Sequence, residues 1–82
     1  MESSKSIENK RNKDYVEENF SQILNLFRNK FLVVHNQQIQ AAFDEEEKAT
    51  AFGFAMFGNI QPFIIYQVQE KKRLNFVFQT TL

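Results

Sequence analysis

The chain predicts an α+β fold: a two-layer sandwich in the order α-β-β-α-β-β, with a four-stranded antiparallel sheet (order 2-1-3-4) and both helices on one face. Three observations carry this expectation. Apolar residues recur at helical spacing from Val16 to Phe27. Two stretches, Phe31-Leu32-Val33-Val34-His35 and Phe63-Ile64-Ile65-Tyr66, are apolar on successive residues, the mark of a central strand or of one covered on both sides. Between them lies a short segment opened by Asp44 with Glu47 and closed by Gly58, which has the punctuation of a capped helix.

Residues 1–13 are polar and charged, with Ile7 the only large apolar side chain after Met1. Such a segment buries too little to offset its ordering entropy, so it is expected to be a flexible tail ahead of a single domain at 14–82. It is basic on balance, either as a solubilising tail or as a contact for a partner or an anion. A helix is expected over 14–30. Asp14 and Glu17 have capping-box spacing, and Val16, Phe20, Ile23, Leu24 and Phe27 form the apolar stripe. Arg28 and Lys30 stand in its last turn, where cations favour the helix dipole.

The first strand, 31–35, turns through Asn36-Gln37 or Gln37-Gln38; without a glycine the turn type stays open. The second strand, 38–43, alternates, with Ile39, Ala41 and Phe43 one way and Gln38 and Gln40 the other, as an edge strand does. In the next helix Asp44 is expected to cap, and Glu45, Glu46 and Glu47 suit the positive end of the dipole. Its core stripe reads Ala49, Phe52, Gly53 and Met56. A mid-helix glycine costs about 1 kcal/mol against alanine, which close approach of the helix backbone to the sheet would offset. Pro62 opens a strand over 63–69, where its missing amide does least harm, and Leu74, Phe76 and Phe78 alternate in a last strand. The crossover helix makes strands two and three parallel to each other. Placing the doubly apolar strands side by side then gives the order 2-1-3-4.

With 82 residues the chain is one domain near the size where burial becomes marginal, and its ten phenylalanines compensate with large buried area. No cysteine means no disulfide framework, no thiolate nucleophile and no thiolate zinc site, which points to the cytoplasm. The first residues lack the apolar core of a signal peptide, and no apolar run approaches spanning length. Ten basic and ten acidic residues leave a formal charge of zero, so any attraction to nucleic acid or anionic lipid must be local.

The run Phe31 to Val34, a short turn, Ile39-x-Ala41-x-Phe43-Asp44, Glu47-x-Ala49, Gly53, Phe57-Gly58, Pro62-Phe63-Ile64-Ile65 and Gln67-Val68 resembles a family of small prokaryotic proteins known only as a domain of unknown function. The resemblance covers roughly Tyr15 to Phe78. The hairpin turn here lacks the glycine usual in that family, and Glu45 stands where threonine is common. The matched positions are caps, turns and core, so the resemblance implies a small intracellular protein with no assigned chemistry, and it carries no functional residue over.

Searching for chemistry yields little. His35 is the only histidine, and the local sequence places neither a nucleophile nor further ligands beside it. Asp44-Glu45-Glu46-Glu47 lacks the alternating spacing and glycine of a calcium loop, and helix-start electrostatics account for it. No phosphate-binding glycine loop is present. Neither catalysis, nor a metal, nor a cofactor is expected. What remains is apolar surplus: with two helices on one sheet face, the opposite face still carries residues of strands one and three. Phe31, Val33, Phe63 and Ile65, with Phe54 and Phe57 beside them, are therefore the candidate interface of a homodimer or of a contact with another protein. The alternative is that Phe54 and Phe57 wedge between the two helices and the N-terminal tail covers the sheet. A second function class, nucleic-acid binding or regulation, rests on the basic turn Lys71, Lys72 and Arg73.

Overall fold

The computed structural model describes residues 4–58, 60–70 and 76–79. Among them are three helices, α1 (Ser4–Glu18), α2 (Phe20–Phe27) and α3 (Glu46–Phe57). An antiparallel sheet joins β1 (Phe31–His35) to β2 (Gln38–Phe43) on one side and to β3 (Ile64–Gln67) on the other. A further extended segment, β4, spans Phe76–Gln79. The expected basic turn at Lys71, Lys72 and Arg73 lies outside the described residues.

The helices do not share one face. Successive residues of a strand point to opposite sides of its sheet, and here the two sides have separate cores. Leu32, Val34, Ile64 and Tyr66 pack with Val16, Phe20 and Ile23 of α1 and α2. Val33, Phe63 and Ile65 pack with Ala49 of α3 and with Phe31, Phe43, Phe52 and Phe57. The described residues therefore form three layers, with α1 and α2 on one side of the sheet and α3 on the other. This corrects the expected two-layer arrangement, and the reason is the double-sided apolarity of β1 and β3, which only cover on both faces can bury.

The α1 helix is the second departure. Residues 4–13, expected as a flexible tail, are helical. Asp14 consequently lies inside a helix rather than capping one. The inward positions of α1 are Asn9, Asn12 and Val16, continued by Phe20 and Ile23 in α2, a 3-4-4-3 spacing whose first two members are polar. The expected single helix is broken at Asn19 (φ −110°, ψ 20°). There the backbone N–H of Asn19 keeps the helical bond to the Tyr15 carbonyl at 3.1 Å, and its side-chain amide donates to the same oxygen at 2.8 Å, a local side-chain bond that competes with regular helix.

The hairpin turns through Asn36 and Gln37, with φ of 54° and 56°. Positive φ at both central residues of a two-residue loop is the type I′ pattern that suits the strand twist. In β2, Val33 lies opposite Ala41 and Val34 opposite Ile39, leaving Gln40 as an extra residue. This bulge reverses the parity of the strand. Ile39 packs toward α1 and α2 while Phe43 packs toward α3, although strict alternation had put them on one side.

At the start of α3 the Asp44 carboxylate is not the cap. The first flanking residue is Glu45, whose side chain makes no capping bond. Asp44 instead pairs with Lys30. Phe31 lies opposite Phe43 across β1 and β2, so the residues just outside that pair meet in the same way. Glu45 pairs with Lys48 at 3.3 Å. Gly53 faces the sheet so closely that a Cβ there would lie 2.3 Å from the Phe63 ring, which is the close approach expected of it. Gly58 ends the helix at φ 58° and ψ −144°, a region that side-chain-bearing residues avoid.

Candidate interaction surface

The residues singled out from the sequence divide by depth. Val33, Phe63 and Ile65 are completely buried beneath α3. They are core, and no partner reaches them in the closed fold. Phe31 and Phe57 are half-buried against the same cluster. Phe57 stacks on His35, ring centroids 4.1 Å apart and planes 27° from parallel, and lies 5.8 Å from Phe63. Phe54 sets its ring edge-on to Phe63 at 5.6 Å and 87°, yet remains 40% exposed. Phe54 and Phe57 thus wedge against Phe63 and the sheet, not between two helices.

Two apolar residues around the end of α3 are more exposed than Phe54: Met56 at 60% and Ile60 at 83%. Helical periodicity assigns Met56 to the core stripe, but Ala49, Phe52 and Phe57 are the α3 side chains packed on that core, and Met56 stays exposed one residue before the helix ends at Phe57. Ile60 had one legible signal, a large β-branched residue between Asn59 and Gln61-Pro62, where turn chemistry favours polar residues. Phe54, Met56 and Ile60 together place three large apolar side chains at the surface within seven residues. Two small exposed residues of α3, Ala51 and Ala55, lie on the same helix.

His35 and Asp44, the side chains singled out for chemistry, are engaged within the fold. His35 Nδ1 lies 2.7 Å from the Pro62 carbonyl oxygen. A carbonyl can only accept, so Nδ1 carries the proton and serves as a donor there, not as a base. Its ring is covered by Phe57. Asp44 is held below the usual carboxylate range by its hydrogen bond from Lys30, then by the Lys30 charge. Burial pushes the Tyr66 phenol above its ordinary range. Among the described residues no group of three or more His, Cys, Asp or Glu side chains could hold a metal ion. No described helix is long and apolar enough to cross a membrane.

No family model, no curated protein and no solved structure matches this chain.

Proposed function

We propose that this protein is a small non-catalytic interaction module of the cytoplasm that associates with a second copy of itself through the C-terminal end of α3 and the turn after it. The observation that supports this is the exposure of Phe54, Met56 and Ile60, beside Phe52 and Phe57 half-buried on the same helix and fully buried Ile64, Ile65 and Tyr66 in β3. Exposed apolar surface can mark an interaction site, and these three side chains stand within seven residues of one another around the end of α3. A formal charge of zero adds no long-range repulsion between copies. The sheet-face part of the original candidate interface is withdrawn, since Val33, Phe63 and Ile65 serve the core beneath α3.

The same reading places β4 at the far side of β3, completing a four-stranded antiparallel sheet in the order 2-1-3-4. Its support is the backbone register of Ile64 with Gln79, Ile65 with Phe78 and Tyr66 with Phe76. In that order β2 is one edge and β4 the other.

Sedimentation equilibrium across a hundredfold concentration range tests the association. A concentration-dependent mass that returns to monomer on M56D/I60D, with unchanged thermal stability, is the expected result. A wild-type chain that stays monomeric throughout removes self-association. The basic run Lys71, Lys72 and Arg73 supports a second reading, contact with single-stranded nucleic acid. Salt-dependent oligonucleotide binding that disappears on K71A/K72A/R73A, with M56D/I60D binding normally, would favour it over the first.

A further inference from the structure

The N-terminal part of α1 is attached to the fold by a different kind of contact from the rest of it. Apolar burial on α1 is confined to its C-terminal end, with Tyr15 half-buried and Val16 fully buried in the core. Ahead of it the inward positions are Asn9 and Asn12, 1% and 0% exposed, while Ile7 points outward at 43%. Asn12 donates through Nδ2 to Asn9 Oδ1 at 3.1 Å. Its own Oδ1 accepts from the Gln37 backbone N–H at 2.8 Å and from Gln37 Nε2 at 3.3 Å. Gln37 is the second left-handed residue of the hairpin turn, at φ 56°. One side chain therefore ties the helix to the turn and holds the turn in a conformation that glutamine adopts reluctantly.

These contacts open more cheaply than apolar ones. An amide released from a partner regains water, so the net loss per hydrogen bond is small, whereas exposing Val16, Phe20 and Ile23 forfeits their transfer free energy. Regions closed by few apolar contacts open locally ahead of the whole domain.

We infer that residues 4–13 form a latched arm, which detaches as a unit from the hairpin turn when the Asn12–Gln37 bonds break, while Val16 onward stays docked. Val34 and Ile64, paired across β1 and β3, face the α1 side at the hairpin end of the sheet. Detachment frees the hairpin turn on that side of the sheet and leaves the α3 side closed. The device is independent of the self-association surface, which lies on the other side of the sheet.

Native-state hydrogen exchange on the full chain, read residue by residue under increasing low concentrations of urea, tests this. In the wild type the amides of residues 8–13 are expected to exchange at least a hundredfold faster than those of β1 and β3, with a much weaker urea dependence. N12A should accelerate residues 8–13 a further tenfold or more and β1 and β3 by less than threefold. V16A should instead accelerate both regions together. Exchange of residues 8–13 only through global unfolding, at the rate and urea dependence of the sheet, would overturn the arm. So would equal acceleration of arm and sheet by N12A. The wild-type measurement decides the matter alone if N12A fails to fold.

Discussion

Gly53 has no room for a methyl group. The Phe63 ring occupies the position a Cβ would take, at 2.3 Å, and that ring is itself fully buried between Phe54 and Phe57. Alanine is the better helix former, by about 1 kcal/mol. Overpacking a core costs about 1–3 kcal/mol, and so close an approach stands at the upper end, so Gly53→Ala is expected to be net destabilising, by up to about 2 kcal/mol in urea unfolding. A stabilised variant would show that the ring moves freely. Asp44 illustrates the opposite situation, an exposed group whose effect is electrostatic. Its folded-state pKa is lowered, first by the hydrogen bond from Lys30 and then by that residue's charge. The stabilising contribution is therefore present above the unfolded carboxyl value near 3.8 and fades as pH falls through the lower folded value. The urea midpoint should drop more steeply below pH 4 in the wild type than in Lys30→Met, and identical acid limbs would remove the pair from the account. The residue types were legible here; Gly53 was readable as a close approach, whereas the partner of Asp44 was not, because it lies across a strand pair rather than within the helix.

At the scale of elements, the hairpin shows how a poor local choice is sustained by a distant group. Type I′ turns favour Asn-Gly, and this one has Asn36-Gln37. A left-handed L-residue costs about 1–2 kcal/mol, offset in Gln37→Gly by glycine's greater chain entropy of about 0.5–1 kcal/mol. Because the Asn12 bond to the backbone N–H survives in glycine, Gln37→Gly is expected to raise stability by about 0.5 kcal/mol, read as a small increase in the thermal midpoint. A fall would mean that the Nε2 contact at 3.3 Å outweighs the backbone strain. The turn's position at 36–37 was one of two readings that the sequence left open, and its type was hidden because neither central residue is glycine. The bulge at Gln40 was hidden for a different reason: the alternating pattern of residues 38–43 is the same whether or not an extra residue shifts the register halfway along.

For the molecule as a whole, the two cores share a single sheet, so a probe placed on one side reports on both. Tyr66 is fully buried on the α1 and α2 side, and burial raises its pKa above 10.0. A phenol whose folded pKa is raised keeps its proton longer in the native state. Stability is then whole below the unfolded value and declines as pH climbs from it toward the folded one. Urea midpoints are expected to fall above pH 10, and Tyr66→Phe should flatten that alkaline limb. Unchanged alkaline behaviour in the variant would place the titration elsewhere. The candidate surface belongs to this scale too. Phe54 was readable as surplus from the α3 pattern, whereas Met56 has core periodicity and Ile60 follows the helix end at Gly58, so the exposure of both is visible only in the structure.

By itself the sequence determined where β1 and β2 run, that β1 and β3 are apolar on both faces, and that Gly53 and Gly58 stand where a side chain does not belong. Each follows from local composition, because strand period, turn chemistry and backbone freedom act over a few residues. Only the tertiary structure decided that the helices divide between the two faces, since apolarity says that a face is covered and not by what. It likewise decided that residues 4–13 are helix. Asn9 and Asn12 carry no apolar signal, and they become interior residues only once the hairpin turn supplies the hydrogen-bonding partner that burial of an amide requires.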